Sequence, residues 1–590
     1  MIDVRRVDWI AAIAVLAVAT VLAVRVGAWY NVDGIVYLDL SDAALQGDWA
    51  TFVNAYWSPL YPLLIAGARH LIGTDRAVET SVVAALNVGI AALAALGYTQ
   101  LLHELDERGW APRSSTTILA ARVAAWSAFA TVVLRISPVT LPTPDLLVVG
   151  IQIWAAAMLL HAARAEAPGR TALLSGAVLG LGYLVKGAMV VIGGAFGIAF
   201  FLLVAPRPRR RLVWAMSLGG TLVVAPWCVL LSRHEGALTL GSVASLNLAW
   251  YVGEQSSQYP DPDAIVADTL PNRFDHDDAV PAVYRFTPHL VGTYPPWTDP
   301  TWWHRGITPQ PTWHGERSVL AVGTAMVWSV MVLPLLALAL AGTPPGVGDP
   351  TIGRALAMLS TIALAQLLLY WPVHFETRFL AVPWLFAWLA IIGTVARADR
   401  SLPRGVRAVP AIVLLGAVLA IPPGLASYLS LAVAAVIAAA VVVIARRRRE
   451  PVLMAWAPLI ALALVPVLTM IPSRIRAGAS PIERRDRTTA TTLRAAGVAD
   501  GDLVASIDAT SPAGWARLGR WRVSGEVARS RATQFWRSSP AEQERVLGAL
   551  QRSGARAVVA VLKPGVAPPP SWQTVPGSTV LIRVLGVPPQ

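Results

Sequence analysis

Six ionisable residues stand where they could do chemistry: Asp33, Asp145, Lys186, His374, Glu376 and Arg378. Each lies at the margin of a long apolar run. Asp33 falls in Asn-Val-Asp-Gly-Ile-Val-Tyr-Leu-Asp (31–39), directly after the first such run. A carboxylate there can take a proton from a hydroxyl or stabilise an oxocarbenium-like transition state. It can equally be the N-cap of a surface helix over 34–45. Asp145 sits in Leu-Pro-Thr-Pro-Asp-Leu-Leu (141–147), where Thr143 as N-cap and Pro144 at the first helical position make an ordinary helix start. Lys186 is the one lysine within the apolar part of the chain; it either snorkels to the interface or holds a lipid phosphate. In Pro-Val-His-Phe-Glu-Thr-Arg-Phe (372–379), Arg378 forms a local ion pair or offers its fork to a phosphate. His374 and Glu376 also suggest a divalent metal, but two ligands two residues apart are a weak signal for one, and no cofactor is expected.

These residues are positioned by a membrane bundle. Of the 590 residues, 55% are hydrophobic and 14% charged, and the mean hydropathy is +0.56. Soluble domains carry roughly 25% charged residues. The net charge of +13 does not mark a nucleic-acid binder, because the arginines fall in short runs between apolar segments, where they set topology. The single cysteine, Cys228, excludes a disulfide within the chain. The first apolar run lacks a small-residue cleavage site and is long enough to span, which argues against a cleaved signal peptide.

The run from Trp9 to Tyr30 would extend about 33 Å as a helix, enough for a core of roughly 30 Å. Arg5 and Arg6 before it place the N-terminus in the cytoplasm and the 31–77 loop outside. Further spans are expected at 78–102, 117–134, 145–163, 171–185, 187–205, 212–232, 317–341, 353–371, 379–396, 408–425, 428–445 and 452–471, about thirteen in all. The arginine turns at Arg207–Arg211, Arg397–Arg407 and Arg446–Arg449 then all fall on the cytoplasmic side. Within 171–205, Lys186-Gly187 marks the join of two short helices.

Outside the membrane lie 31–77, 233–316 and the tail from about 474. The 233–316 loop is rich in Trp, Tyr, Pro and Asp, with too many aromatics for a disordered linker, and is expected to cap a cavity. The division is a membrane domain over 1–473 and an external α/β domain over 474–590. In that tail, strands are expected at 503–507, 521–527, 557–562 and 580–585, and helices at 512–518 and 540–552. It contains no glycine-rich phosphate loop. The expected fold class is mainly α: a polytopic helical bundle with external surface helices and this small α/β unit.

The order of these features resembles the GT-C superfamily of glycosyltransferases, in the branch of the protein O-mannosyltransferases and the lipid A aminoarabinose transferases (glycosyltransferase family 39-like). Asp33, Tyr37 and Gly47-Asp48-Trp49 follow the order of that family's first loop; Pro144-Asp145 looks like its second acidic motif. Gly182–Gly187, containing Lys186, looks like its Lys-Gly turn, and Glu376-Thr377-Arg378-Phe379 like its Glu-x-Arg-Tyr motif. The resemblance covers roughly residues 1–400. Two positions depart: Gly34 follows Asp33 where the family often has a second acid, and Phe379 replaces tyrosine. The Trp/Pro-rich loop and the α/β tail do not match characterised members.

The resemblance implies an inverting transfer of a sugar from a polyprenyl-phosphate-linked donor to an acceptor on the external face of the plasma (inner) membrane. Asp33 would be the base, Asp145 would orient donor or acceptor, and Lys186 and Arg378 would hold the donor phosphate. Tyr37, Tyr56, Trp57, Tyr61, His374 and Glu376 would line the substrate cavity, with Trp297 and Trp302 along the sugar or isoprenoid path. Partners would be the lipid-linked donor, membrane lipids and an acceptor glycan, lipid or protein; no nucleic acid is expected. On this reading Asp39 and Asp42 are solvated positions of the surface helix. The rival class is a non-catalytic lipid-linked sugar transporter or flippase, whose charges would line a path at mid-span.

Overall fold

A computed structural model describes residues 3–110, 115–253, 275–277, 279–287, 289–326, 350–397, 481–509 and 513–586. The bundle opens with α1 (Val4–Val26), capped at its start by Asp3 and ended by Gly27 at φ +69°. A short loop leads into α2 (Val32–Gln46), α3 (Trp49–Phe52) and α4 (Leu60–Ile72) before α5 (Arg76–Asp106) returns through the bundle. Then follow α6 (Ser115–Thr131), prolonged by a π-helical turn Val132–Ile136, α7 (Asp145–Ala162), α8 (Pro168–Val185), α9 (Met189–Ala199) and α10 (Arg209–Glu235). Two more helices, α14 (Pro350–Tyr370) and α15 (Ala381–Arg397), close the described bundle. Between α10 and α14, the 233–316 segment carries α11 (Val243–Asn247), α12 (Pro295–Thr298) and α13 (Pro300–Trp303).

Six described helical segments are long and apolar enough to cross a membrane, ending with those at Arg209–Glu235 and Thr351–Tyr370. The chain is a multi-pass membrane protein. The helices expected at 171–185, 187–205 and 379–396 are present but shorter or less apolar than those six. The expected break at Lys186-Gly187 is also present, since α8 ends at Val185 and α9 begins at Met189. The spans expected at 408–425, 428–445 and 452–471, much of 317–341, and nearly all of the two later arginine turns lie outside the described residues.

Lipid-facing and packed faces divide as a bilayer demands. On α10, Trp214, Leu218, Leu222 and Val229 are exposed, as apolar side chains against hydrocarbon should be. Its opposite face packs on α8 through glycine. A methyl at Gly176 would stand 1.8 Å from the Met216 carbonyl oxygen, and one at Gly219 would stand 2.0 Å from that of Leu173. The two backbones therefore touch at two points that admit no side chain.

Beyond the bundle, the tail folds around α16 (Pro481–Ala495), α17 (Gly514–Gly519), α18 (Ala532–Arg537) and α19 (Pro540–Arg552), the last opened by a Ser539–Glu542 capping box. Its strands β3 (Leu503–Ile507), β4 (Arg522–Val527), β5 (Ala557–Val561), β6 (Gln573–Thr574) and β7 (Val580–Val584) match the four expected strands to within a residue and add β6. One seven-stranded sheet runs β1-β2-β4-β3-β5-β7-β6, with β3 parallel to both β4 and β5. Its first two strands, β1 (Asp275–Asp277) and β2 (Val283–Arg285), come from the long loop, and β2 pairs antiparallel with β4. The loop and the tail thus share a sheet, a link that three-residue strands do not announce in sequence.

Gly176→Leu should push α8 from α10 and cost about 3 kcal/mol or more, because backbone on the facing helix cannot yield as a side chain can. Thermal unfolding in detergent checks this; an unchanged midpoint would refute the close approach.

Candidate active site

Four charged groups from four elements form one chain of ion pairs. The Arg378 Nη2 donates to Asp33 Oδ2 at 2.6 Å, and Arg378 Nε stands 3.4 Å from Asp145 Oδ2. Lys186 Nζ donates to Asp145 Oδ1 at 2.7 Å. The order is Asp33–Arg378–Asp145–Lys186, alternating in sign, with side-chain exposures of 21, 14, 6 and 22%. Two carboxylates and two cations balance, which is how charges persist at such burial.

Local structure delivers each group. Asn31, not Asp33, caps α2: its side chain accepts from Gly34 N at 3.1 Å, leaving Asp33 free in the first turn to meet Arg378. Asp145 opens α7 one residue later than expected, with Pro144 in the cap position. Lys186 occupies the extended join between α8 and α9; it does not snorkel outward but points at Asp145 and over the Phe379 ring, 3.9 Å from its centroid. Arg378 sits in the 3₁₀ turn Thr377–Leu380, held by Gln366 donating to the Phe379 carbonyl at 2.9 Å.

The two departures from the family pattern have physical reasons. A methyl at Gly34 would lie 2.3 Å from Pro142 Cγ, so the loop before α7 leaves no room for a second acid beside Asp33. Phe379 stacks on Tyr370 at 4.3 Å and presents its face to Lys186, a role that needs a ring but no hydroxyl.

Aromatic side chains stand beside this chain of charges. Tyr37, one turn beyond Asp33, meets Trp57 and Tyr61 edge-on at 5.2 and 5.3 Å. The Tyr61 hydroxyl donates to Asn87 at 3.0 Å. Tyr56 contacts Trp57, Trp250 and Trp297, and Trp57 Nε1 donates to the Trp297 carbonyl at 3.0 Å. Trp302 stacks on His289. His374 stacks on Tyr251 at 4.0 Å and lies 3.6 Å from Glu376. Trp250 and Tyr251, in the π-helical turn Leu248–Val252, carry no motif that would single them out among 23 tryptophans and 12 tyrosines. Among the described residues, no group of three or more His, Cys, Asp or Glu gathers as metal ligands.

The expectation that Asp39 and Asp42 are solvated is corrected. Gly34 to Ser41 are buried in an unbroken run, because α2 lies between the bundle and the tail. Arg517 of α17, fully buried, donates through Nη1 to Asp39 Oδ1 at 2.7 Å and Asp42 Oδ2 at 2.6 Å; its other nitrogens grip Glu79 of α5. Arg69 and Arg76 also reach Asp42, at 2.6 and 3.0 Å. Burial resists ionisation of Asp42, but Arg517, Arg76 and Arg69 outweigh it and hold its carboxyl at about 2. Burial dominates at Asp39 and raises its carboxyl, despite Arg517.

No protein-family model matches the sequence, and no curated protein matches it. The fold has solved counterparts. ArnT from Cupriavidus metallidurans bound to undecaprenyl phosphate superposes over 97% of both chains, with a TM-score of 0.53 at 14% identity. Its apo state gives the same coverage and TM-score at 16% identity. The Archaeoglobus fulgidus oligosaccharyltransferase in its apo form covers 93% of this chain and 69% of its own, with a TM-score of 0.43 and 15% identity. At these identities, what is shared with ArnT is the fold.

Because the folded carboxyl of Asp42 lies below the ordinary 3.8, its contribution is full above that pH and is lost as pH falls through about 2. The stability gap between wild type and Asp42→Asn should therefore be constant, roughly 2 kcal/mol, near neutrality and close in that acid window. Unfolding midpoints in detergent against pH measure it; a gap that persists below pH 2 would contradict the pairing.

Proposed function

We propose that this chain is a membrane glycosyltransferase that moves a sugar, with inversion, from a polyprenyl-phosphate-linked donor to an acceptor on the external face of the membrane. The observation that carries the reading is the Asp33–Arg378–Asp145–Lys186 chain, assembled from four elements. Support comes also from the fold shared with ArnT, which is bound to undecaprenyl phosphate in its solved structure.

The chemistry follows from charge. A donor phosphate entering beside Lys186 and Arg378 competes with the carboxylates for their protons. As Arg378 turns part of its fork to phosphate, its hold on Asp33 weakens and Asp33 becomes the stronger base. Asp33 takes the proton of an acceptor hydroxyl while that oxygen attacks the anomeric carbon from the face opposite the phosphate. The carbon–oxygen bond to phosphate breaks, and its electron pair leaves with the polyprenyl phosphate. Negative charge grows on that leaving group, where an ammonium and a guanidinium already stand in a low-dielectric site. Asp145, paired with both cations, keeps them aimed. Tyr56 offers a ring on which a sugar can lie, backed by the buried Tyr37, Trp57 and Tyr61.

Asp33→Asn should lower transfer of radiolabelled sugar from polyprenyl-phosphate donors by about 10²–10⁴-fold. Full turnover in the variant would remove Asp33 from the mechanism. Absence of turnover by wild type with any such donor would favour a lipid-linked sugar transporter.

A further inference from the structure

Arg517 is the group through which the C-terminal tail reaches the helix that carries Asp33. Its guanidinium is fully buried and meets three carboxylates: Asp39 and Asp42 on α2 and Glu79 on α5, the last through two nitrogens at 3.2 and 2.7 Å. Its backbone carbonyl accepts from Arg76 Nη1 at 2.6 Å. A second tie runs to the same aspartate. Asp39 accepts from the backbone N–H and the hydroxyl of Thr293, at 2.7 and 2.8 Å, and the Thr293 carbonyl accepts from Val523 of β4. Two routes from the shared sheet thus converge on α2.

Helix geometry makes this more than a fastening. Asp33 and Asp42 are nine residues apart and so lie about 180° apart around α2. One side of the helix is fixed by Arg378 at Asp33, the other by Arg517, Arg69 and Arg76 at Asp42. With three arginines against Asp39, Asp42 and Glu79, the cluster is neutral only while Arg517 is present. Without it, two arginines face three carboxylates, and mutual repulsion acts on the helix that aims Asp33.

We propose that Arg517 is a positioning residue for Asp33: the C-terminal tail sets the rotation and axial place of α2, and with them the distance from Asp33 to the acceptor hydroxyl. The inference rests on the reading of Asp33 as the base. It assigns the tail a part in turnover without any contact with the substrate.

The test compares wild type with Arg517→Lys, Arg517→Met and the double variant Arg517→Met/Glu79→Gln, which removes one charge of each sign and so keeps the cluster's net charge unchanged. In the Met variants kcat should fall on the order of 10²-fold while the donor KM stays within about threefold. Lysine keeps the charge but not the fork, so Arg517→Lys should recover part of kcat. Hydrogen exchange over residues 32–46 should quicken in the Met variants. A folded double variant with wild-type kcat, or with only KM altered, would overturn the proposal. So would unchanged exchange in α2. The exchange measurement needs no turnover, so it tests whether Arg517 holds α2 even if wild type transfers no sugar and the proposed function falls.

Discussion

The structure depends on keeping four alternating charges together at one end of an apolar bundle. Each of the two carboxylates and two cations would be costly to bury alone, and removing one partner from such a set typically costs 3–5 kcal/mol. Asp33, Arg378, Asp145 and Lys186 escape that cost only by meeting, and they meet only if α2, the 3₁₀ turn before α15, the start of α7 and the α8–α9 join all end at one place. The features that looked like local punctuation are what bring them there: Asn31 as cap, Gly34 against Pro142, the break at Lys186.

Much of this was legible in the sequence, for a physical reason. Charge is so rare in the apolar part of the chain that Asp145, Lys186 and Arg378 stand out, each at the margin of an apolar run. The strand pattern of the tail was legible too, since Leu503–Ile507 and Ala557–Val561 are apolar runs bounded by turn residues. What could not be read was anything carried by distant partners. Asp39 looks like a solvated position because its counter-charge, Arg517, lies 478 residues further on, and Asp42 because its partners Arg69, Arg76 and Arg517 come from three other elements. The same holds for β1 and β2, too short to show a period and defined only by pairing with β4.

A second consequence concerns the tail. It shares its sheet with the 233–316 loop, and it enters the bundle through a buried arginine. Trp250 and Trp297, which pack on Tyr56, belong to that loop, while Tyr37 belongs to the helix that Arg517 holds. The aromatic cluster and the candidate base are therefore both tied to the sheet that loop and tail share. Movement of that sheet would be felt at the charges, which is the basis of the mechanical role proposed for the tail.

On the proposed function, Lys186 and Arg378 receive the phosphate of a polyprenyl-linked donor. The most direct measurement is the affinity of undecaprenyl phosphate, followed by tryptophan fluorescence, for wild type, Lys186→Met and Arg378→Gln in detergent. Loss of one charged hydrogen bond to phosphate should weaken binding by about tenfold to a hundredfold in each variant. Equal affinity in all three proteins would mean that the phosphate binds elsewhere and that the four-charge chain is structural.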